Sequence, residues 1–468
     1  MSRRIALAIA LVPALSSFSI AADLPAAPPL PDFRDPIDYR AWYAKRVVCH
    51  GEENARAVLI PDDFNPRWAT RFLTKDLSQK SEALIDNALR GGIIWQDDDH
   101  IELVQRLAKW EPQIANLKRA ASLNCMWPPD ADKQGHLFDL KLGGVLTTGR
   151  EITKALIVSA WKAQPNQGRA ILDATECVIK FARLLEHEKM VLSNLAAANT
   201  HREFAFHHLL AIAEADLLEL RDLDRAIVLL TDCELTTAPL AESVVTEWGK
   251  AYDVIQFLYP GKKLSRERYD MLIKVPEFEQ LRFPQKKIDP QVECQRLDKL
   301  FRICLESLDQ PLSHHQTTKL KDAIRRWQTA PESPDQFTMI HEFLPSLYSN
   351  VVRSEALRRG TLLTLHLRRY HRVNKKWPRS LEELDLPASS SARVDPFSGE
   401  PFAYRLDRSR PTLYSFAYDG INGGGKTHLG NWGRDGSDGD FVFLPYQQPF
   451  RFPAKGGEDG GEKNDGDS

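Results

Sequence analysis

Apolar residues recur at helical spacing along most of the chain. One predicted helix has an apolar face formed by Val104, Leu107, Ile114 and Leu117. The acidic residues 97–99 mark its N-terminus. The same spacing predicts further helices at 151–162, 170–185, 199–220, 224–230, 241–258, 291–308 and 316–327. Short polar breaks separate these helices, so we expect antiparallel hairpins packed as an irregular α-solenoid or bundle over residues 39–332. The architecture is TPR-like only loosely, because no 34-residue repeat aligns.

The pattern changes in residues 333–453, where a long helix precedes alternating strand residues. Ser333-Pro334-Asp335 is a good capping sequence for a helix that ends near Asn374. Its predicted apolar stripe is Ala356, Gly360, Leu363, Leu367 and Tyr370. Its predicted solvent-facing residues are Arg353, Arg358, Arg368 and Arg372. The chain is therefore predicted to be mainly α, with a small C-terminal α+β module.

Within that module, Trp377-Pro378 ends the long helix, and Ser380-Leu381-Glu382-Glu383 is a capping box for a short second helix. Alternating Phe402, Tyr404 and Leu406 predict a strand. Two more strands are predicted at Thr412–Ala417 and Phe441–Phe443, which would complete a small sheet.

The two ends of the chain have compositions that differ from the rest. Residues 1–21 combine Arg3 and Arg4 with a short apolar run, which predicts a secretory signal peptide. Residues 22–38 are rich in proline and alanine and predict a PPII-like linker outside the core. The glycine-rich, acidic residues 454–468 predict a disordered tail. We therefore expect an exported protein, periplasmic or at the cell surface, with no membrane span in the mature chain.

Charge and cysteine content narrow the function further. The formal net charge of −2 offers no basic surface for nucleic acid. Six cysteines lack any Cys-x-x-Cys pair, so the sequence predicts neither a zinc ribbon nor a thioredoxin-like motif. Disulfides and buried free thiols are both compatible with an exported chain. Cys294 and Cys304 are the pair to test first, because they lie close in sequence.

Two patterns resemble catalytic or nucleotide sites. His201, Glu203, His207 and His208 lie on one predicted helix, and His201 and His208 share a face. Because the His-Glu-x-x-His spacing is absent, the sequence favours core or surface histidines, with zinc ligands of a metal-dependent hydrolase as the alternative. The segment 420–427 fits the P-loop pattern, but the loop residues after it cannot supply the helix that a P-loop requires, so we expect no nucleotide.

The C-terminal quarter resembles the globular head of type II secretion major pseudopilins, a head that also occurs in exported bacterial proteins that are not pilins. The resemblance is carried by the Trp377-Pro378 helix, the Asp-Pro-aromatic hairpin from Asp395 to Arg405, and the Tyr-Ser-x-x-x-Asp-Gly segment that ends at Gly420. The chain departs from the family at Phe416 and Tyr418, where small residues are usual. The signal peptide also lies far from the head, which argues against assembly into a pseudopilus.

The resemblance implies a calcium ion in the last loop of the head. Carried over by position, its ligands are Asp419, Asp438 and Asp440, with backbone oxygens completing the shell. No complete catalytic set accompanies them. We therefore predict a non-catalytic binding or structural protein with a protein partner, and we keep the metal-dependent hydrolase as the alternative.

Overall fold

A computed structural model describes the protein over 24–46, 49, 53–59, 78–89, 101–126, 135–140, 143–162, 166–275, 278–279, 289–309, 312–329, 339–387, 389–426 and 439–446. The predicted signal peptide and the predicted tail lie outside these residues. Within them the protein is mainly helical and has a small antiparallel sheet near the C-terminus. The predicted fold class is confirmed at this level.

Helices follow one another along the chain before the C-terminal module, and those between residues 143 and 258 are joined by short connections. They are α1 (Tyr39–Arg46), α2 (Ala55–Leu59), α3 (Gln79–Leu89), α4 (Ile101–Ala120), α5 (Gly143–Lys162), α6 (Gln167–His187), α7 (Val191–His201), α8 (His207–Glu214), α9 (Leu220–Asp232), α10 (Ala238–Leu258), α11 (Arg266–Leu272), α12 (Pro290–Leu308) and α13 (His314–Thr329). A π-helix (Arg202–Phe206) joins α7 to α8. Consecutive helices α4 to α7 pack side by side. On α4, Leu107, Ile114 and Leu117 are buried as predicted.

The sheet has three short strands. β1 (Ala403–Asp407) pairs with β2 (Arg410–Ser415), and β2 pairs with β3 (Phe441–Leu444), all antiparallel. All three strands match the predicted positions. The predicted short helix after Trp377-Pro378 is a single 3-10 turn, Leu381–Glu383.

Asp395 fixes the turn that leads into this sheet. Its buried carboxylate accepts hydrogen bonds from the backbone nitrogen of Phe397 at 3.0 Å and of Phe416 at 3.3 Å, and from the Ser415 hydroxyl at 2.8 Å. Burial raises the pKa of Asp395, which these hydrogen bonds oppose. The Asp-Pro-aromatic signature is therefore structural here: the carboxylate joins the turn to the end of β2.

A long helix, α14 (Met339–Asn374), packs against both parts of the chain. It contacts α7, α8, α9 and α13 as well as β2 and β3. Ala356, Leu363 and Leu367 of the predicted stripe are buried. At Gly360 a Cβ would lie 2.2 Å from the Phe443 ring, so glycine there lets β3 approach the helix closely. The module is thus built around a helix that also belongs to the helical core.

The prediction that the arginines of this helix face solvent was wrong for Arg358. Its side chain is 2% exposed and binds the buried Glu355 at 2.6 Å, and its other terminal nitrogen donates to the Leu230 carbonyl at 2.6 Å. Arg359 also binds Glu355 at 2.6 Å and donates to the Val394 carbonyl at 2.9 Å. The polar side of α14 is covered by α9 and by the module, so its charges pair internally.

The other arginines of the set are half-buried. Arg368 pairs with Glu214 at 2.7 Å, and Arg372 pairs with Asp216 at 2.7 Å, both at the end of α8. Arg353 lies over the ring of Tyr418 at 5.0 Å from its centroid. These contacts hold α14 against the helices that precede it.

Tyr418 explains one departure from the pseudopilin pattern. Its ring makes an edge contact with His314 of α13 at 4.5 Å between centroids, and its hydroxyl accepts a hydrogen bond from Arg353 at 3.2 Å. The backbone nitrogen of His314 also donates to the Pro396 carbonyl at 2.8 Å. A large side chain stands here because the loop contacts the helical region instead of solvent.

The proline-rich segment before α1 is packed on the helical region, contrary to the predicted free linker. Phe33 is buried. The backbone of Ile37 exchanges two hydrogen bonds of 2.9 Å with the side-chain amide of Gln256 on α10. The Tyr39 hydroxyl donates to the Pro29 carbonyl at 2.7 Å. The segment forms neither a helix nor a strand, and it covers part of the core.

The proposed pairing of Cys294 with Cys304 was wrong. Both are buried free thiols, and ten residues of α12 place them about 15 Å apart, beyond the Cα separation that a disulfide spans. The disulfide joins Cys49 to Cys125, whose Cα atoms are 5.8 Å apart. It ties the chain after α1 to the chain after α4.

Candidate functional site

The histidines of the alternative hydrolase hypothesis have different partners. His201 is stacked on Phe206 and lies 3.6 Å from Glu186. The Nδ1 atom of His208 accepts a hydrogen bond from the indole of Trp161 at 3.0 Å. Burial lowers the pKa of both histidines, that of His208 to about 3. The structure therefore distributes these side chains through the core.

The π-helix explains why His201 and His208 do not share a face, although regular helical spacing predicts that they do. The predicted helix 199–220 is α7, the π-helix and α8, which run from Val191 to Glu214. In a regular α-helix, residues seven apart share a face. The wider π turn rotates His208 away from that position. His207 instead lies 3.0 Å from the hydroxyl of Tyr446, beyond β3, while Glu203 pairs with Arg150 at 3.1 Å.

Two of the three predicted calcium ligands lie in the described loop. The carboxylate of Asp440 accepts hydrogen bonds from the backbone of Gly423 at 3.2 Å and of Gly425 at 2.6 Å. Asp419 accepts one from Gly439 at 3.0 Å. Burial chiefly, and the charge of Asp419 in addition, raise the pKa of Asp440. Asp438 lies outside the described residues, within which no group of three potential metal ligands occurs.

The P-loop-like segment uses its glycines to bind this aspartate. Gly424 and Gly425 have φ values of 73° and 80°, which glycine adopts without strain. The backbone N–H groups of Gly423 and Gly425, which a P-loop would direct at phosphate, point at Asp440. The segment therefore forms a closed turn around a carboxylate.

A groove with a volume of about 730 Å³ runs along α6. α6 forms its floor, the turn at residues 121–124 forms one wall, and α9 forms the other. A smaller cavity of about 230 Å³ continues it toward Lys118 on α4. The disulfided Cys125 follows the first wall directly, so a covalent bond fixes that side. We call these two cavities together the α6 groove.

Ion pairs line the α6 groove. Arg225 on α9 binds Asp173 at 2.5 Å and also pairs with Glu176, and Lys180 binds Glu176 at 2.7 Å. Arg183 binds Glu186 at 3.0 Å. These pairs hold α9 against α6 and give the groove polar sides.

Apolar side chains lie between these ion pairs. Val228 is 58% exposed on the α9 wall. Leu123 lies opposite on the turn, and Ile179 lies on the floor. Val228 is exposed, Leu123 is partly buried and Ile179 is buried, so the groove has a small apolar centre between polar sides, as many surfaces that bind another chain do.

Two residue types that often take part in catalysis line the groove. Cys233 and His187 both line it. Burial raises the pKa of the Cys233 thiol to about 12, so the nucleophilic thiolate is absent at neutral pH. Burial also lowers the pKa of His187, which leaves it neutral. Neither group is therefore in the ionised form of a thiolate–imidazolium pair.

Sequence reasoning missed the α6 groove because its walls are far apart along the chain. Residues 121–124 and α9 are brought together by hairpin packing, and periodicity does not report which helix faces stay open. The sequence did contain one signal. Arg225, Val228 and Asp232 lie three and four residues apart, so an aliphatic side chain stands on the charged face of α9.

A histidine–aspartate pair was also missed. His136 Nδ1 lies 3.0 Å from the buried Asp253 of α10, whose second oxygen accepts a hydrogen bond from the backbone of Leu137 at 2.6 Å. The His136 ring stacks on Phe138 and contacts Phe257, both at 4.7 Å between centroids. These contacts anchor the turn before α5 on α10, which is a structural role.

Within the described parts of the chain, no helix has both the length and the apolar character to cross a bilayer. Comparison with known proteins found no match among protein-family models, curated proteins or solved structures.

Proposed function

We propose that the protein is an exported, non-catalytic binding protein, located in the periplasm or at the cell surface. In this proposal the α6 groove binds a segment of a protein partner. The C-terminal module, which resembles a pseudopilin head, is the structural support that packs against the helical region through α14. The observation that carries the proposal is the groove itself, in which Val228 remains 58% exposed between ordered ion pairs.

Export is supported by the disulfide as well as by the N-terminal sequence. Cys49 and Cys125 form a bond that persists only in an oxidising compartment in most organisms. The bond also fixes the wall of the α6 groove, so the proposed binding surface is complete where the protein is oxidised.

A photo-crosslinking amino acid at Val228 is expected to trap the partner in cells. The control position is Val373, which has nearly the same exposure, 55%, but lies at the end of α14. We expect a discrete crosslinked species from position 228 and none from position 373, detected by blotting and identified by mass spectrometry. Equal crosslinking at both positions, or none at position 228, would contradict the proposal.

We also propose that Asp419, Asp438 and Asp440 hold a calcium ion in the last loop. Asp440 has a raised pKa to which the charge of Asp419 contributes, so a cation between them would stabilise both ionised groups. Oxygen ligands on a glycine-rich turn suit calcium. Each carboxylate keeps lone pairs beyond the backbone hydrogen bonds that it accepts.

Calcium is expected to raise the thermal unfolding midpoint relative to that measured with chelator. At a free calcium concentration of one hundred times the dissociation constant, binding adds about 2.7 kcal/mol to the free energy of unfolding. Asp440→Asn should abolish the shift, whereas Asp407→Asn, at an exposed residue of β1, should keep it. Because the pKa of Asp440 is raised, protons should displace calcium at a higher pH than at an ordinary aspartate. Identical midpoints with calcium and with chelator would refute the site.

A further inference from the structure

Four arginines of the described residues are buried, and three of them bind a carboxylate. Arg56 pairs with the buried Glu188 at 3.4 Å, and Arg358 and Arg359 share one buried glutamate. Arg40, on α1, is only 6% exposed. No ion pair or hydrogen bond joins its side chain to any residue that the structure describes, and its Nε atom is sealed from solvent. Arg40 is therefore a buried cation that lacks an anion.

The guanidinium of Arg40 lies against the backbone of Gly135, in the turn before α5. A Cβ atom on Gly135 would lie 2.6 Å from Nη1 of Arg40 and 3.7 Å from its Cζ, so glycine lets the cation approach the turn closely. Gly135 itself is exposed. The guanidinium thus lies just beneath the surface, where an ion from solution can reach its outer edge.

Both sides of this contact are held in place. On α1, the adjacent Tyr39 is buried, and its ring contacts Tyr252 of α10 at 6.3 Å between centroids. On the turn, His136 directly follows Gly135 and is bound to Asp253 of α10. Groups that are already fixed lose little freedom when a ligand binds, so the arrangement is preorganised.

The acidic residues of the neighbouring elements have other partners. Asp38 precedes α1, and its carboxylate accepts a hydrogen bond from the backbone nitrogen of Ala41 at 2.8 Å. Asp253 binds His136 and the backbone of Leu137. A charge removed from water carries a desolvation penalty, which a counter-ion offsets. The surroundings of Arg40 therefore favour an anion from solution.

We propose that Arg40 binds a small oxyanion, a carboxylate or a phosphate group, at the surface beside Gly135. The planar guanidinium presents N–H groups in a fork that matches two oxygens of either group. A ligand of three non-hydrogen atoms, such as formate, binds with a dissociation constant of about 1 mM at best. Neither residue lines the α6 groove, so this site is independent of the proposed binding function.

The test detects formate bound to the full chain by saturation-transfer difference NMR, through the single C–H proton of the ligand. The variants are Arg40→Gln and Arg40→Lys, and the matched control is Arg34→Gln, at an exposed arginine of the segment before α1. Acetate and phosphate then compete with formate, and chloride keeps the ionic strength constant. Circular dichroism verifies that each variant folds.

The wild type and Arg34→Gln are expected to bind formate equally. Arg40→Gln should weaken binding by at least about tenfold, because it removes charge-assisted hydrogen bonds. Arg40→Lys keeps the charge but loses the fork, so it should bind more weakly than the wild type. Displacement of formate at a lower concentration of acetate than of phosphate would assign the site to carboxylates, and the reverse order would assign it to phosphates.

A second measurement uses stability in place of ligand contact. In chloride, Arg40→Gln should unfold at a midpoint no lower than that of the wild type, because it removes a charge that has no partner. Formate should raise the midpoint of the wild type and of Arg34→Gln, but not that of Arg40→Gln.

No formate signal in the wild type, or the same signal in Arg40→Gln, would overturn the inference. Asp130 and Asp132 precede Gly135 and lie outside the described residues. A formate signal that appears only when both are replaced by asparagine would show that a carboxylate of the chain itself pairs with Arg40, which would also overturn the inference. Crosslinking at Val228 does not involve Arg40, so each of the two proposals can fail without the other.

Discussion

Glu355→Ala is expected to destabilise the protein by about 3–5 kcal/mol, because it leaves two buried guanidinium groups without their carboxylate. Glu355 is fully buried and binds both Arg358 and Arg359 at 2.6 Å. It also accepts the backbone N–H of Leu235 at 3.2 Å. The carbonyls of Leu230 and Val394 would remain as acceptors, but they carry no net negative charge. Urea unfolding followed by circular dichroism measures the loss.

Two further variants test whether the loss of stability comes from the unpaired buried charges. Glu400→Ala, at an exposed glutamate of the turn before β1, should change stability by less than about 0.5 kcal/mol. Replacing Glu355, Arg358 and Arg359 together by leucine and methionine should recover much of the loss, since apolar residues often substitute for a buried ion pair. A loss below about 1 kcal/mol for Glu355→Ala would show that the arginines find other acceptors.

Lowering the pH from 7 to 5 is expected to destabilise the protein by about 4 kcal/mol through two buried histidines. Burial lowers the pKa of His208 to about 3 and that of His366 to about 4. Below pH 6.5 the unfolded chain binds protons at these residues, and the folded chain does not. The stability that the two neutral histidines contribute is fully present above pH 6.5. It is lost progressively as the pH falls to about 4 for His366 and to about 3 for His208. At pH 5 each histidine lowers the free energy of unfolding by about 2 kcal/mol relative to pH 7.

Comparing variants isolates this effect from that of the acidic residues. Burial raises the pKa of Asp395 and Glu188, so these groups act in the opposite direction as the pH falls. His208→Gln keeps an acceptor for Trp161 and should reduce the difference in unfolding free energy between pH 7 and pH 5 by about 2 kcal/mol. His315→Gln, at an exposed position, should leave that difference unchanged. The same difference in His208→Gln and in the wild type would mean that His208 is protonated in the folded state.

Most of the long helices and the three strands were predictable because they follow from local periodicity, whereas α2, α3 and α11 were not predicted. α14 ends at Asn374 as the sequence predicts, and the strands lie where apolar residues alternate before and after a turn. The π-helix was not predictable, since its extra residue leaves the local apolar pattern intact. The burial of Arg358 depends on the carbonyl of Leu230, 128 residues away. No local pattern reports such a partner.

The candidate sites show the same division. The resemblance assigned Asp419 and Asp440 to one loop, and in the structure both accept hydrogen bonds from the backbone of nearby glycines. The sequence grouped His201 with His208 by helical spacing, which the π turn changes. The α6 groove depends on how α4 and α9 flank α6, and the disulfide of Cys125 with Cys49 spans 76 residues. Features that depend on distant segments required the three-dimensional structure.

The position of α14 also determines when the chain can fold. α7, α8 and α9 each pack a face against α14, and the Ser354 hydroxyl donates to the carbonyl of Ala198 at 2.8 Å. At about 5–20 residues per second, a ribosome needs roughly 8–32 s to proceed from Glu214 to Asn374. During that interval the apolar faces of the earlier helices have no partner. The nascent chain therefore depends on chaperones or on delayed folding until its last third has been synthesised.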